Sequence, residues 1–76
     1  MNTKEAVKQR IMELCKKEGI SFHSLAVRSA VSKSTVMNIV RGTNPTVGTV
    51  GKLCSGLGIT VKEFYDNDIF TTCEED

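Results

Sequence analysis

The chain has 76 residues, ten Lys or Arg against nine Asp or Glu for a formal charge of +1, and 39% apolar residues. That length holds one domain that buries only about 60% of its unfolded surface, and the composition describes a globule, not a disordered chain. No apolar run approaches the roughly 20 residues of a membrane span, the polar start is no signal peptide, and no CxxC, HExxH, GxGxxG or Walker-type string suggests zinc or nucleotide.

The elements read as helices throughout. Residues 3–18 carry Val7, Ile11, Leu14 and Cys15 at i, i+4, i+7 and i+8, one face of a 3.6-residue period. Asn2, with Glu5 three residues later, starts this helix in a capping-box-like pattern, and Gly19 stops it. Lys4, Lys8, Lys16 and Lys17 fall outside the apolar stripe, on a solvated face.

Three shorter helices follow, each announced by a hydroxyl cap. Ser21 caps residues 22–29, with Leu25 and Ala26 inward. Ser32 caps 33–41, with Val36 and Ile39 inward and Val40 beside them. Thr46, after the only proline, caps 47–57, which bears Val47, Val50, Leu53, Cys54 and Leu57. Gly48, Gly51 and Gly56 lie in this fourth helix at about 1 kcal/mol each relative to Ala, and close helix–helix approach is the obvious use of such small residues. Thr60-Val-Lys-Glu63 is a full capping-box string and opens a fifth helix over 61–66, with Val61, Phe64 and Tyr65 on the core side. No strand pattern or internal repeat is present. The predicted fold is all-α: a five-helix domain over 1–66 and a short acidic tail over 67–76.

Charge is unevenly divided. Residues 1–62 hold all ten bases and three acids (Glu5, Glu13, Glu18), a net of +7, whereas 63–76 hold six acids and no base. From Gly19 to Lys62 there is no acid at all. A basic body with an acidic end prompts a polyanion partner more strongly than the total charge does. Cys15, Cys54 and Cys73, an odd number without a close pair, fit a reducing cytoplasm. With His23 the only histidine, the sequence gives no reason to expect an enzyme, a metal site or a cofactor.

The informative stretch runs from Phe22 to Arg41. Its two helices are joined through Ser29-Ala30-Val31, too short a link for an antiparallel pair, so they meet at about 90–120°. Leu25-Ala26, Val31-Ser32-Lys33-Ser34-Thr35, Arg41-Gly42, Asn44-Pro45-Thr46, Leu57-Gly58-Ile59 and Phe64 occur in one order over about residues 4–66. In that order and spacing they resemble the helix-turn-helix domain of the XRE family, which includes the Cro and phage-repressor regulators.

The resemblance implies a compact lambda-repressor-like five-helix fold whose third helix enters the major groove of double-stranded DNA. Carried onto this chain, base contacts fall on Ser32, Lys33, Ser34, Met37 and Asn38. The chemistry agrees: Lys33 donates to guanine, Asn38 pairs bidentately with adenine and Ser34 serves several bases. Met37 offers only apolar contact, to a thymine methyl or to a protein. Phosphate contacts fall on Ser21, His23, Arg41, Thr43 and Asn44, and the start of the fourth helix adds backbone N–H donors.

Three departures from the family pattern stand out. Phe22 replaces a phosphate-clamping glutamine, Ala30 the common turn glycine, and Cys15 with Val40 a buried Arg–Glu pair.

Two function classes follow. The first is a sequence-specific DNA-binding transcriptional regulator, a repressor acting as a homodimer on a palindrome, bacterial or phage-encoded and located in the cytoplasm on the nucleoid. The second is a protein-interaction module on the same fold, antitoxin-like or anchoring, motivated by Phe22, Met37 and the Tyr65–Phe70 segment. Phe64, Tyr65, Ile69 and Phe70 either pair two copies or cover the monomer core.

Overall fold

The five side chains that precede the apolar stripes all cap helices. Asn2 Oδ1 accepts from the Glu5 N–H at 3.0 Å, and Ser21 Oγ from Ser24 N–H at 3.1 Å. Ser32 Oγ accepts from Thr35 N–H at 3.1 Å, Thr46 Oγ1 from Thr49 N–H at 3.1 Å and Thr60 Oγ1 from Glu63 N–H at 3.0 Å. Each oxygen takes up a donor that the helix leaves unpaired. In this computed structural model, which describes residues 1–74, they open α1 (Thr3–Glu18), α2 (Phe22–Ser29), α3 (Lys33–Val40), α4 (Val47–Leu57) and α5 (Val61–Tyr65). Arg41 and Asp66, expected as last helical residues, are instead the C-caps of α3 and α5. Among the described residues the only β pairing is an isolated bridge of Asn2 with Glu74.

One core serves all five helices. Val7, Ile11, Leu14 and Cys15 meet Leu25 and Ala26, Val36 and Ile39, then Val50, Leu53, Cys54, Leu57 and Phe64, all buried. Helix α2 is the hub, packed by both α3 and α4, while α5 and α1 pack on α4. Close approach of α2 and α4 is set at Gly56. A Cβ there would lie 2.9 Å from the Ser29 backbone nitrogen and clash with the Ser29 hydroxyl as well.

The glycine and core expectations need correction at several positions. Gly48 and Gly51 do not serve close approach: a Cβ at Gly51 would meet nothing within 4 Å, and at Gly48 only Thr46 Oγ1 at 3.9 Å. Val47 is 83% exposed, not core: Thr46, Val47 and Gly48 are all exposed, so the first turn of α4 stands in solvent. Val61 and Tyr65 are 42% and 39% exposed. Helix α5 has five residues, too few to present a broad face, and it points Phe64 alone into the core.

The segment after α5 folds back along α1. Asp68–Phe70 form a single 3-10 turn that packs on α1. Phe70 rests against the core, its ring 6.0 Å from Phe64 and 4.8 Å from Tyr65. Arg10 ties this side together: Nε donates to the Phe64 carbonyl at 2.7 Å and Nη2 to the Glu63 carbonyl at 2.9 Å. Its Nη1 donates to Glu13 Oε1 at 2.7 Å, an atom that also accepts from Asn67 Nδ2 at 3.2 Å. A guanidinium on the last carbonyls of a helix satisfies acceptors that the helix leaves open and complements its dipole. Glu74 N–H then donates to the Met1 carbonyl at 2.9 Å. Glu75 and Asp76, the last acids of the tail, lie outside the described residues.

Candidate nucleic-acid interface

The corner between α2 and α3 begins at Ala30, the one non-glycine residue with positive φ among those described, at 56°. Ala30 N–H bonds back to the Val27 carbonyl at 3.3 Å and Val31 N–H to Ala26 at 3.1 Å, which closes α2 and turns the chain sharply. Ala30 thus keeps the left-handed backbone at the position where the family commonly has glycine, at about 1 kcal/mol of steric cost. Buried Ala26, Val36 and Ile39, with half-buried Val31, fill the crevice.

With Val36 and Ile39 inward, α3 turns Lys33, Ser34 and Asn38 to solvent, with Arg41 just past its end, all four exposed. At 100° per residue these four fall within an arc of about 140°. Met37 lies in the same arc but is half-buried, so its apolar body is partly committed to the protein. Ser32 is exposed, yet its oxygen caps Thr35 and shares a 2.8 Å hydrogen bond with Thr35 Oγ1. It holds the start of α3 in place before it can read anything.

The residues assigned to phosphate are exposed as well: Ser21 and His23 at the start of α2, and Arg41, Thr43 and Asn44 after α3. The loop is not loose. Gly42 takes φ 111°, donates to the Ile39 carbonyl at 3.0 Å, and lets Thr43 N–H reach the Asn38 carbonyl at 2.8 Å. Thr43 is thus tied to the residue that carries the adenine-type amide.

Sequence reasoning missed the partners of the caps. Thr46 Oγ1 donates to Thr49 Oγ1 at 2.9 Å, a second hydroxyl pair like Ser32–Thr35. The two share a Ser/Thr-x-x-Thr spacing, which was the available signal. The third position of α2, α3 and α4 is Ser24, Thr35 and Thr49, and no acid stands in any of their first turns. Arg10 was missed too, since it falls outside the apolar stripe and its acceptors are main-chain carbonyls.

Of the four apolar residues assigned to pairing or to core, Phe64 is fully buried, Ile69 and Phe70 are half-buried and Tyr65 is exposed. Burial pushes the Cys15 thiol up, and Cys54 likewise, although the Arg10 charge partly counters it there. Both stay protonated and poorly nucleophilic at neutral pH. No group of three or more His, Cys, Asp or Glu among the described residues is arranged to hold a metal ion. Among the described residues no helix is long and apolar enough to cross a membrane.

Comparison with known proteins meets this geometry at the same residues. The family model described as Helix-turn-helix matches residues 11–64, well over half of the chain. The chain belongs to the XRE helix-turn-helix family. It is 42% identical over 60 residues to the HTH-type transcriptional regulator SlrR of Bacillus subtilis (strain 168). That match covers 75% of this chain but 40% of SlrR, so the chain spans less than half the length of that regulator. The crystal structure of the prophage Lp1 protein 11 superposes with a TM-score of 0.79 at 33% identity, over 88% of this chain and 92% of that one. The XRE helix-turn-helix domain thus accounts for α1 to α5 in order, and the corner at Ala30 is its defining turn.

Proposed function

We propose that this chain is a sequence-specific DNA-binding transcriptional regulator that lays α3 in the major groove. The observation that carries the reading is the outward face of α3, where Lys33, Ser34, Asn38 and Arg41 stand together on a corner free of acids. Lys33 and Asn38 read base edges, with Ser34 and Met37 beside them. Arg41, Thr43, Asn44, Ser21 and His23 hold the phosphates that fix its register. In this reading it works in the cytoplasm, on the nucleoid, as a repressor that occludes a promoter.

A homodimer completes the reading, because two recognition helices about 34–36 Å apart are needed for a two-fold site. The exposed Tyr65 with neighbouring Ile69 and Phe70 offers the apolar surface for it, and Phe64 supports them from beneath. Sedimentation of a chain truncated after Asp66 tests this: the dimer weakens if the segment takes part, and an unchanged equilibrium removes it.

Titration with the DNA upstream of its own gene at two salt concentrations tests the main reading. A specific complex that weakens steeply with salt is expected. Its absence at low salt sinks the proposal. Lys33→Ala with Asn38→Ala separates it from a protein-interaction module: about 1–3 kcal/mol of base discrimination per good contact should go, and cellular function with it. Function that survives the double change assigns the job to protein contacts.

A further inference from the structure

The end of α5 and the turn after it enclose an open cavity of about 460 Å³, with Tyr65 and Phe70, Asp66 and Asp68 among its walls. Its charge has one sign. No base lines it, and neither carboxylate has an ion-pair partner among the described residues, where the one salt bridge is Arg10–Glu13. The other polar groups of the wall are engaged locally. Asn67 Oδ1 accepts from the Ile69 N–H at 3.0 Å, and Thr71 Oγ1 donates to the Asp68 carbonyl at 2.8 Å.

Beside the cavity α5 presents the opposite charge. Val61 and Tyr65, four residues apart, share one side of the helix and are 42% and 39% exposed. Lys62, the last base of the chain, stands exposed next to them. It has no ion-pair partner among the described residues either. Neighbouring Glu63 is taken up by the capping box with Thr60. Asp66, four residues on, makes no pair with Lys62, and its backbone has left the helix at ψ 72°.

We infer that Lys62 of a second copy enters this cavity while Lys62 of the first enters the second copy's, so that two symmetric charge pairs flank a contact through Val61, Tyr65 and Phe70. Self-complementarity selects that occupant. One patch holds an apolar strip, a free base on α5 and two free acids on the turn. A two-fold contact sets residue i of one copy on j of the other and j on i, so such a patch satisfies itself. The rings of Tyr65 and Phe70, in edge-to-face contact at 4.8 Å, add faces that attract an ammonium group. The inference rests on the homodimer reading and supplies the charges that fix its register.

Sedimentation of the full chain without DNA tests it. Lys62→Glu, and separately Asp66→Lys with Asp68→Lys, should each weaken the dimer at least about tenfold, because like charges then face each other across the contact. Lys62→Gln, which only removes the pairs, should weaken it about two- to tenfold. An equimolar mixture of the two reversed variants should dimerise about as well as the unaltered chain, since every reversed residue then meets its opposite. That recovery also shows that both variants are folded. Lys17→Glu changes the net charge equally, one turn beyond Glu13 where Asn67 is tied to α1, and should leave the dimer unchanged.

Dimerisation that is the same in all charge variants overturns the inference and leaves the homodimer reading standing. A mixture no stronger than its components overturns it as well. An unaltered chain that stays monomeric at every concentration overturns both.

Discussion

Helices at the two ends of the chain begin differently from those in the middle. Helices α1 and α5 carry Glu5 and Glu63 at the third position, and Glu63 completes a full capping box with Thr60. Helices α2, α3 and α4 carry Ser24, Thr35 and Thr49 there, and in two of them the side-chain bond that a carboxylate would make is made between hydroxyls. A carboxylate near a helix start is worth about 0.3–1 kcal/mol. Three successive helices forgo it, and they are the three whose starts carry the candidate base and phosphate contacts. A neutral cap satisfies the N–H groups without repelling an incoming phosphate. The contrast suggests that the middle helices give up local stability to keep their positive ends open.

Exchanging the caps gives the largest effect. Thr49→Glu, and separately Thr35→Glu, should leave the melting temperature unchanged or raised while DNA affinity falls by about tenfold or more. The reverse swap, Glu63→Thr, should cost about 1 kcal/mol of stability and leave DNA affinity alone. Equal DNA affinity in all three variants would remove the distinction between the two sets of helices.

Arg10→Met attacks the other side of the molecule. It strips donors from the carbonyls of Glu63 and Phe64, at about 2–3 kcal/mol in chemical unfolding, with little change in affinity below the transition. Next come the glycines of α4. Gly56→Ala should cost about 1–3 kcal/mol by forcing α4 off Ser29, whereas Gly51→Ala, with open space around it, should gain up to about 1 kcal/mol. Smallest is Ala30→Gly, which relieves the left-handed turn and should raise stability by about 1 kcal/mol. A loss there would show that the turn is held by something other than backbone strain.

The fold was legible because its punctuation is local. Asn2, Ser21, Ser32, Thr46 and Thr60 each cap the helix expected of them, and the stripe from Val7 to Leu57 is buried apart from exposed Val47 and half-buried Val40. Val47, Val61 and Tyr65 were misplaced for one reason: periodicity gives the angle around a helix but not how far the helix overlaps its neighbour. The candidate interface was legible in outline, since Lys33, Ser34 and Asn38 follow from knowing which side of α3 is buried. The restraint on Ser32 and the link from Thr43 to Asn38 were not, because both depend on atoms meeting across a turn.

The opening numbers, 76 residues and a charge near zero, said little until the acids were located. From sequence alone came the five helices, their caps, the turn at Ala30 and the basic stretch that ends at Lys62. Those features depend on residues within a few positions of each other. Tertiary structure decided that Gly56 and not Gly51 lets α2 and α4 touch, that Arg10 closes α5, and that Phe70 returns to the core. It also decided that Met12 is left exposed on α1. Each is a meeting of residues distant along the chain, and only the packed geometry fixes which of them come within a bond length or a van der Waals contact.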